Sequence, residues 1–386
     1  MTATPAPRFA PLPVLGPHPT DTEVRDRAEV RSAQQRELGR WWLRRMLAVE
    51  RPFTERLTLA WHGIFATALE KVLRAPLMLT QNTTQRTLGG GDFRTLALAM
   101  LTDVAMIVWL DNETNTKAAP NENLAREFME LFALGHGNGY SEHDVREGAR
   151  ALSGWTVDLV AGTSSLDPAR HDDGVKTVLG VTGRLDHVGF ADAVLARPAS
   201  APFVLGRLWN QLVSDAGMND ATRAAAVHAY GPDRDVAAGV TAMLTSAGFD
   251  RAAGTRVVGP VEWAVGLARA VRAPAGDTTE GTLAHAVQAL GQLPFHPPSV
   301  GGWPAGQAWL SSATVDARWR WGGALVALGD LDTVASAAAA NRLDAAAHLL
   351  GVAGWSDRSA TALKPFAARP ADLVTAAAMT PEYLTV

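Results

Sequence analysis

The stretch Pro120–Thr156, PNENLAREFMELFALGHGNGYSEHDVREGARALSGWT, decides the fold class. Placed at intervals of about 100°, Leu124, Phe128, Leu131 and Phe132 share one apolar face, so the spacing predicts an amphipathic helix. Pro120 and Asn121 open it, with Glu122 in the first turn where the helix dipole favours an acid. Gly135, Gly137 and Gly139 close it. Ser141, with Asp144 three residues on, has the pattern of a capping box for a second helix.

On the first helix Asn123, Glu127 and Glu130 fall within roughly 60° of one another, along the flank of the apolar face. Glu122, Arg126 and Glu130 make a ladder of helical neighbours, which as a solvated ion-pair row contributes only a few tenths of a kcal/mol per pair. Glu127 sits nearer the apolar face. A covered carboxylate needs a hydrogen-bonded cation or a metal, and the helix alone does not choose between them.

Helical patterning continues in both directions. The segment from Thr22 to about Pro52 is helical, and Thr54 is an N-cap candidate for ERLTLAWHGIFATALEKVL, in which Leu57, Trp61, Ile64, Phe65, Ala68 and Val72 recur at helical spacing. GGGDFRTLALAMLTDVAMIVWLDN predicts one further helix. Residues 156–200 are the least helical, a loop with a short strand pair. After Ala201 helices return, including VEWAVGLARAVRA behind Pro260 and the alanine-rich DTVASAAAANRLDAAAHLLG. Residues 1–24, rich in Pro and Thr, read as a flexible N-terminal arm. Residues 25–386 read as a single, mostly α domain with no internal repeat. Two long irregular segments, one around His171 and one around Trp303, carry a functional expectation, because long unstructured loops are uncommon inside compact domains.

Composition narrows the chemistry. Hydrophobic residues make up 47% and charged residues 19% of 386, which describes a folded chain with a large core. A net charge of −4 with no Lys/Arg cluster argues against nucleic acid or an anionic membrane as partner. With no cysteine, thiolate nucleophiles, Fe–S clusters and Cys-type zinc sites are excluded. No apolar run reaches the length of about 18 residues expected of a membrane helix, and no signal peptide is recognisable, so the expected location is the cytoplasm. Nucleophile-elbow, Walker and H-E-x-x-H patterns are absent.

His62 lies at the edge of its helix's apolar stripe, where a histidine is commonly a satisfied core residue. His171, beside Asp172 and Asp173 in a glycine-bearing loop, has the better ligand setting. Glu-x-x-Glu on the acidic helix is a weak metal pattern, since helical di-iron proteins use Glu-x-x-His. Trp303 and Trp309, in the loop LPFHPPSVGGWPAGQAWLSS, are the tryptophans placed to line a cleft.

Read together, these motifs resemble the bacterial family known as domain of unknown function 1800. The resemblance rests on the central stretch, on LAWHGIFAT, AMIVWLDNETN, HDDGVKTVLG and RPASAPFVLGRLWNQLV, on LPFHPPSVGGWPAGQAWLSSATVDAR, and on the ending TPEYLTV. It covers about residues 40–386 and implies a mostly helical fold without an established activity. Members are commonly exported and often encoded beside a sulfatase-like family. Family positions fall on His62, Asn121, Glu122, Asn123, Arg126, Glu127, Glu130, His171, Asp172, Lys176, Gly302 and Trp303. One departure stands out: the family's His-Asn-His segment is here His62, Gly63 and Ile64.

The residues and the resemblance together lead to the expectation of a metal-dependent enzyme acting on a small-molecule substrate. His62, Glu127, Glu130 and His171 would hold the metal, Asn123 and Arg126 would orient carboxylates, and Asp172 would act as base or as partner to His171. Trp303, Trp309 and Lys176 would face the substrate. Mixed oxygen and nitrogen ligands favour iron, then zinc or manganese; iron implies oxidation and zinc implies hydrolysis. Haem on His62 or His171 is a lesser expectation. The competing expectation is a non-catalytic protein partner whose acidic helix is held by Arg126 or Arg150.

Overall fold

Thr20 accepts the backbone N–H of Glu23, and Glu23 returns a bond to the Thr20 N–H, so the first long helix, Asp21–Ala48, starts on a complete capping box. The computed structural model describes residues 4–386. The arm expected over 1–24 is therefore helical from Asp21, extended from 4 to 20, and outside the described residues for its first three positions. Its extended part lies against the chain: Ala10 accepts a hydrogen bond from Gln34, and Phe9 packs on the core.

The chain is mostly helical. The Trp–His helix runs Phe53–Ile64, with Pro52 rather than Thr54 at its N-cap position. The segment GGGDFRTLALAMLTDVAMIVWLDN, expected as one helix, is two: Phe93–Leu101 and Val104–Trp109. Asp103 causes the break, because its carboxylate caps the second helix by accepting the Met106 N–H at 2.9 Å. Residues 156–200 hold two antiparallel hairpins, β1 (Trp155–Asp158) with β2 (Thr163–Leu166) and β3 (Lys176–Val178) with β4 (Val181–Gly183). Pro260–Ala270 is helical as expected, and the loop around Trp303 is irregular apart from a short turn at Gly306–Trp309.

Two apolar clusters form the core. One gathers Trp61, Ile64, Phe65, Phe93, Phe128, Phe132 and Trp209; the other gathers Trp42, Leu267, Leu283, Phe295, Leu325 and Leu373. The Trp–His helix belongs to the first cluster through Leu57, Trp61 and Ile64, while His62 faces the second and touches Trp42 and Phe295. The helix therefore forms the seam between them. Among the described residues no single helix is long and apolar enough to cross a membrane.

Candidate functional site

The acidic helix is not uniform. Asn123–Glu127 is α-helical, and Phe128–Ala133 widens into a π turn in which the Leu134 N–H reaches back five residues to the Met129 carbonyl at 3.1 Å. Arg126 then sorts the carboxylates. It binds Glu122 at 2.8 Å and Glu142 of the next helix at 2.7 Å, and stands 3.6 Å from Glu130. Glu130 also lies 3.5 Å from His136. The Glu127 side chain has neither a hydrogen bond nor an ion pair with any described residue. Burial raises its carboxyl above the ordinary value, and the neighbouring Glu130 pushes in the same direction. Asn123 is exposed and orients no carboxylate among the described residues.

His171 stands apart from that helix. Its Nδ1 is 2.9 Å from the Ser153 carbonyl, so Nδ1–H donates, and Nε2 has no hydrogen-bond partner among the described residues. Asp172 does not serve it. Its two oxygens take Arg150 in a fork at 2.7 and 3.2 Å and also accept the Gly174 N–H. Arg150 holds its carboxyl below the usual range, which makes it a poor base at neutral pH. Arg150 also binds Glu147 at 2.9 Å. Lys176, expected at a substrate cleft, is instead buried in this network, with its Nζ donating to the Gly174 carbonyl at 3.0 Å. Arg126 acts on Glu127 only through its charge, which offsets part of the rise in its carboxyl pKa, and the partners of Arg150 are Glu147 and Asp172.

His62 is a third separate environment. It is fully buried, and its Nε2 accepts the Phe295 N–H at 3.1 Å. Its ring is walled by Trp42, Phe295 and Trp303 at centroid distances of 5.5, 5.2 and 5.3 Å. Burial among these rings pushes its pKa down to about 3, so it is neutral, with the proton on Nδ1. The nitrogen that would bind a metal already has a partner. His62, Glu127, Glu130 and His171 are thus not brought together as one ligand set, and no group of three His, Asp or Glu side chains among the described residues is placed to hold a metal ion.

What the structure does bring together is the Trp–His helix and the Pro/Gly/Trp loop. Gly302 has φ of +86°, and any Cβ there would strike the Gly63 carbonyl, so only glycine lets the loop reach the helix. The contact seats Trp303 against His62 and creates a cleft. Its walls are Trp303, Trp309 and Gly306 from the loop, Arg56, Ala60 and Gly63 from the helix, Asn210 and Gln211 at the end of the helix Ser200–Leu212 with Asp215 just after it, and Arg256 and Glu262. It encloses a cavity of about 40 Å³. Trp303 and Trp309 both lie in its wall.

Charge in the cleft is organised around Glu262. Arg56 approaches it at 2.7 Å and Arg256 at 2.6 Å. Burial would raise the Glu262 carboxyl, but the two guanidiniums hold it below its ordinary value. Asp215 is exposed at the rim and accepts the Val257 N–H at 2.8 Å. Three buried donors on the cleft walls make no hydrogen bond among the described residues; Arg56 Nε still faces Glu262 at 2.7 Å, which leaves Arg256 Nε and Trp303 Nε1 with no partner. Trp309 is held from behind by the buried Arg318, whose Nη1 donates to the Trp309 carbonyl at 3.0 Å. Arg56, Arg256 and Glu262 were not singled out in the sequence, because their charges are far apart along the chain. The one local signal was Arg56, six residues before His62 on a helix already marked.

The family's sequence model matches residues 4–385. The chain belongs to the family described as protein of unknown function (DUF1800). No curated protein and no solved structure matches it. In this member of the family, the Trp-His and Gly-Trp-Pro motifs meet at one place, and the central acidic signature builds the neighbouring helices.

Proposed function

We propose that this protein binds a small carboxylate-bearing molecule in the cleft between Arg56, Arg256 and Trp303. The observation that carries the reading is the pair of buried, unpartnered donors, Arg256 Nε and Trp303 Nε1. A buried donor without an acceptor costs about 1–3 kcal/mol, and both belong to residues lining one cavity. Both lack an acceptor, and one sits on a cation. A carboxylate supplies two acceptor oxygens and a charge to match. At about 10–15 Å³ per water-sized group, a 40 Å³ cavity holds about three such groups, the size of a carboxylate head. Arg56 and Arg256 outweigh Glu262 on the floor, and Asp215 spends an oxygen on backbone at the exposed rim.

The test is titration calorimetry with acetate and with acetamide. Acetate should bind once per chain and more tightly than acetamide, and Trp303→Phe, which removes the N–H and keeps the ring, should weaken acetate about five- to tenfold for one lost hydrogen bond. Equal binding of the amide, or no effect of Trp303→Phe, would sink the reading.

Metal-dependent oxidation of a small organic substrate, with iron ahead of zinc or manganese, is a second reading, favoured by the unpaired Glu127. Elemental analysis of protein purified without chelators tests it. Near-stoichiometric metal that is lost in Glu127→Ala supports it, and equal metal content in both proteins removes it.

A further inference from the structure

Beside the polar cleft lies a second depression with a different character. It has a volume of about 290 Å³ and is walled by Met46, Pro52, Leu59, Val261 and Val265, together with the charged residues Glu55, Arg56, Glu262 and Arg269. Arg56, Leu59 and Glu262 line both cavities. The Arg56–Glu262 ion pair is thus the partition between a small polar chamber and a larger, mainly apolar groove. The partition is not sealed in the core: the Arg56 side chain is 37% exposed and that of Glu262 20%. Arg256, by contrast, is 5% exposed and is the fixed cation of the polar side.

From this juxtaposition we infer that the ligand is an amphiphilic carboxylate, its head on Arg256 and Trp303 and its alkyl tail in the groove beside Leu59 and Val265. The inference rests on the carboxylate reading and adds the substrate class. The polar chamber alone is too small for more than a head group, so the rest of any larger ligand must leave it. The adjoining groove offers aliphatic walls at the edge the two cavities share. An apolar tail gains from each methylene it removes from water against Met46, Leu59, Val261 and Val265. Arg56 suits the crossing point, because its aliphatic stem can flank the tail while its guanidinium stays with Glu262 and the head.

The experiment is a chain-length series on the full-length protein, with acetate, butyrate, hexanoate and octanoate titrated by calorimetry and 1-octanol as the uncharged control. Affinity should rise about fourfold for each methylene that enters the groove, the fold-change that matches one buried CH₂. Val265→Ala, which alters the groove and not the polar chamber, should weaken octanoate several-fold and leave acetate unchanged. Acetate binding with no dependence on chain length would overturn the amphiphile and leave the head-group reading in place. Failure of every acid to bind would overturn both. An affinity for 1-octanol equal to that for octanoate would show a hydrophobic groove uncoupled from the arginines, and would likewise overturn the inference.

Discussion

His62 shows how one residue can be marked correctly by its motif and misread in its chemistry. Its position beside Trp61 drew attention, yet its role is to accept the Phe295 N–H and to seat Trp303 at the cleft. Replacement by leucine removes the acceptor and should cost about 1–3 kcal/mol at pH 7.5. The pH dependence has a definite sign. Because the folded-state pKa lies near 3, below the ordinary value of 6.5, the native protein must stay neutral where the unfolded chain takes a proton. Stability from this residue is fully present above pH 6.5 and falls by up to about 1.4 kcal/mol per unit as pH drops towards 3. Urea unfolding at pH 7.5, 5.5 and 4.5 should therefore show the gap between wild type and His62→Leu closing as the solution is acidified. A gap independent of pH would mean that His62 is not held neutral. Glu127 has the opposite sense. Its raised carboxyl pKa means that folding loses stability as pH rises through that value, so Glu127→Gln should raise the melting temperature at pH 7 and leave it unchanged near pH 4.

At the scale of elements, the periodicity of apolar residues was enough to find the long helices, because burial of one face dictates it. The capping box of Ser141 and Asp144 could be read for the same local reason. What could not be read was set by contacts across the chain. The π turn at Phe128–Ala133 leaves no mark in the apolar periodicity, which reads as an unbroken α-helix. The loop residues Trp303 and Trp309 were legible through composition, whereas Arg256 and Glu262 needed the fold to bring them to Arg56. Glu55 is another such residue. It is buried on the Trp–His helix and accepts from Trp42 at 2.9 Å, Arg45 at 2.6 Å and Arg86 at 2.8 Å. It thereby ties the helices Asp21–Ala48 and Ala75–Leu88 to its own. Two guanidiniums outlast its removal, so Glu55→Ala should cost about 3–5 kcal/mol, as for any broken buried pair. A loss below about 1 kcal/mol in urea unfolding would show that the cations relax into solvent and that the three helices are held by apolar contact alone.

For the whole molecule, the question is whether two apolar clusters make one cooperative unit. The Trp–His helix runs along the seam between them, and Phe295 sits on it. It is fully buried with a φ of +68°, a backbone region that ring-bearing residues seldom adopt. Its N–H binds His62, its carbonyl accepts the Leu69 N–H at 3.0 Å, and its ring lies 5.0 Å from Trp42. One residue thus joins the Trp–His helix of the first cluster to the packing of the second. The cleft lies on the same seam, so its walls keep their spacing only while the clusters hold together. Phe295→Ala should remove about 3–5 kcal/mol, the usual cost of deleting a buried ring. If the seam couples the clusters, that loss appears equally in both. Native-state hydrogen exchange can separate them, with amides of Phe93–Leu101 and Ser200–Leu212 reporting the first and those of Pro260–Ala270 and Asp277–Ala289 the second. The slowest-exchanging amides of the two groups should lose protection together in Phe295→Ala. Loss confined to the second group would make the clusters independent folding units, and the cleft would then be an interface between bodies that can open without unfolding.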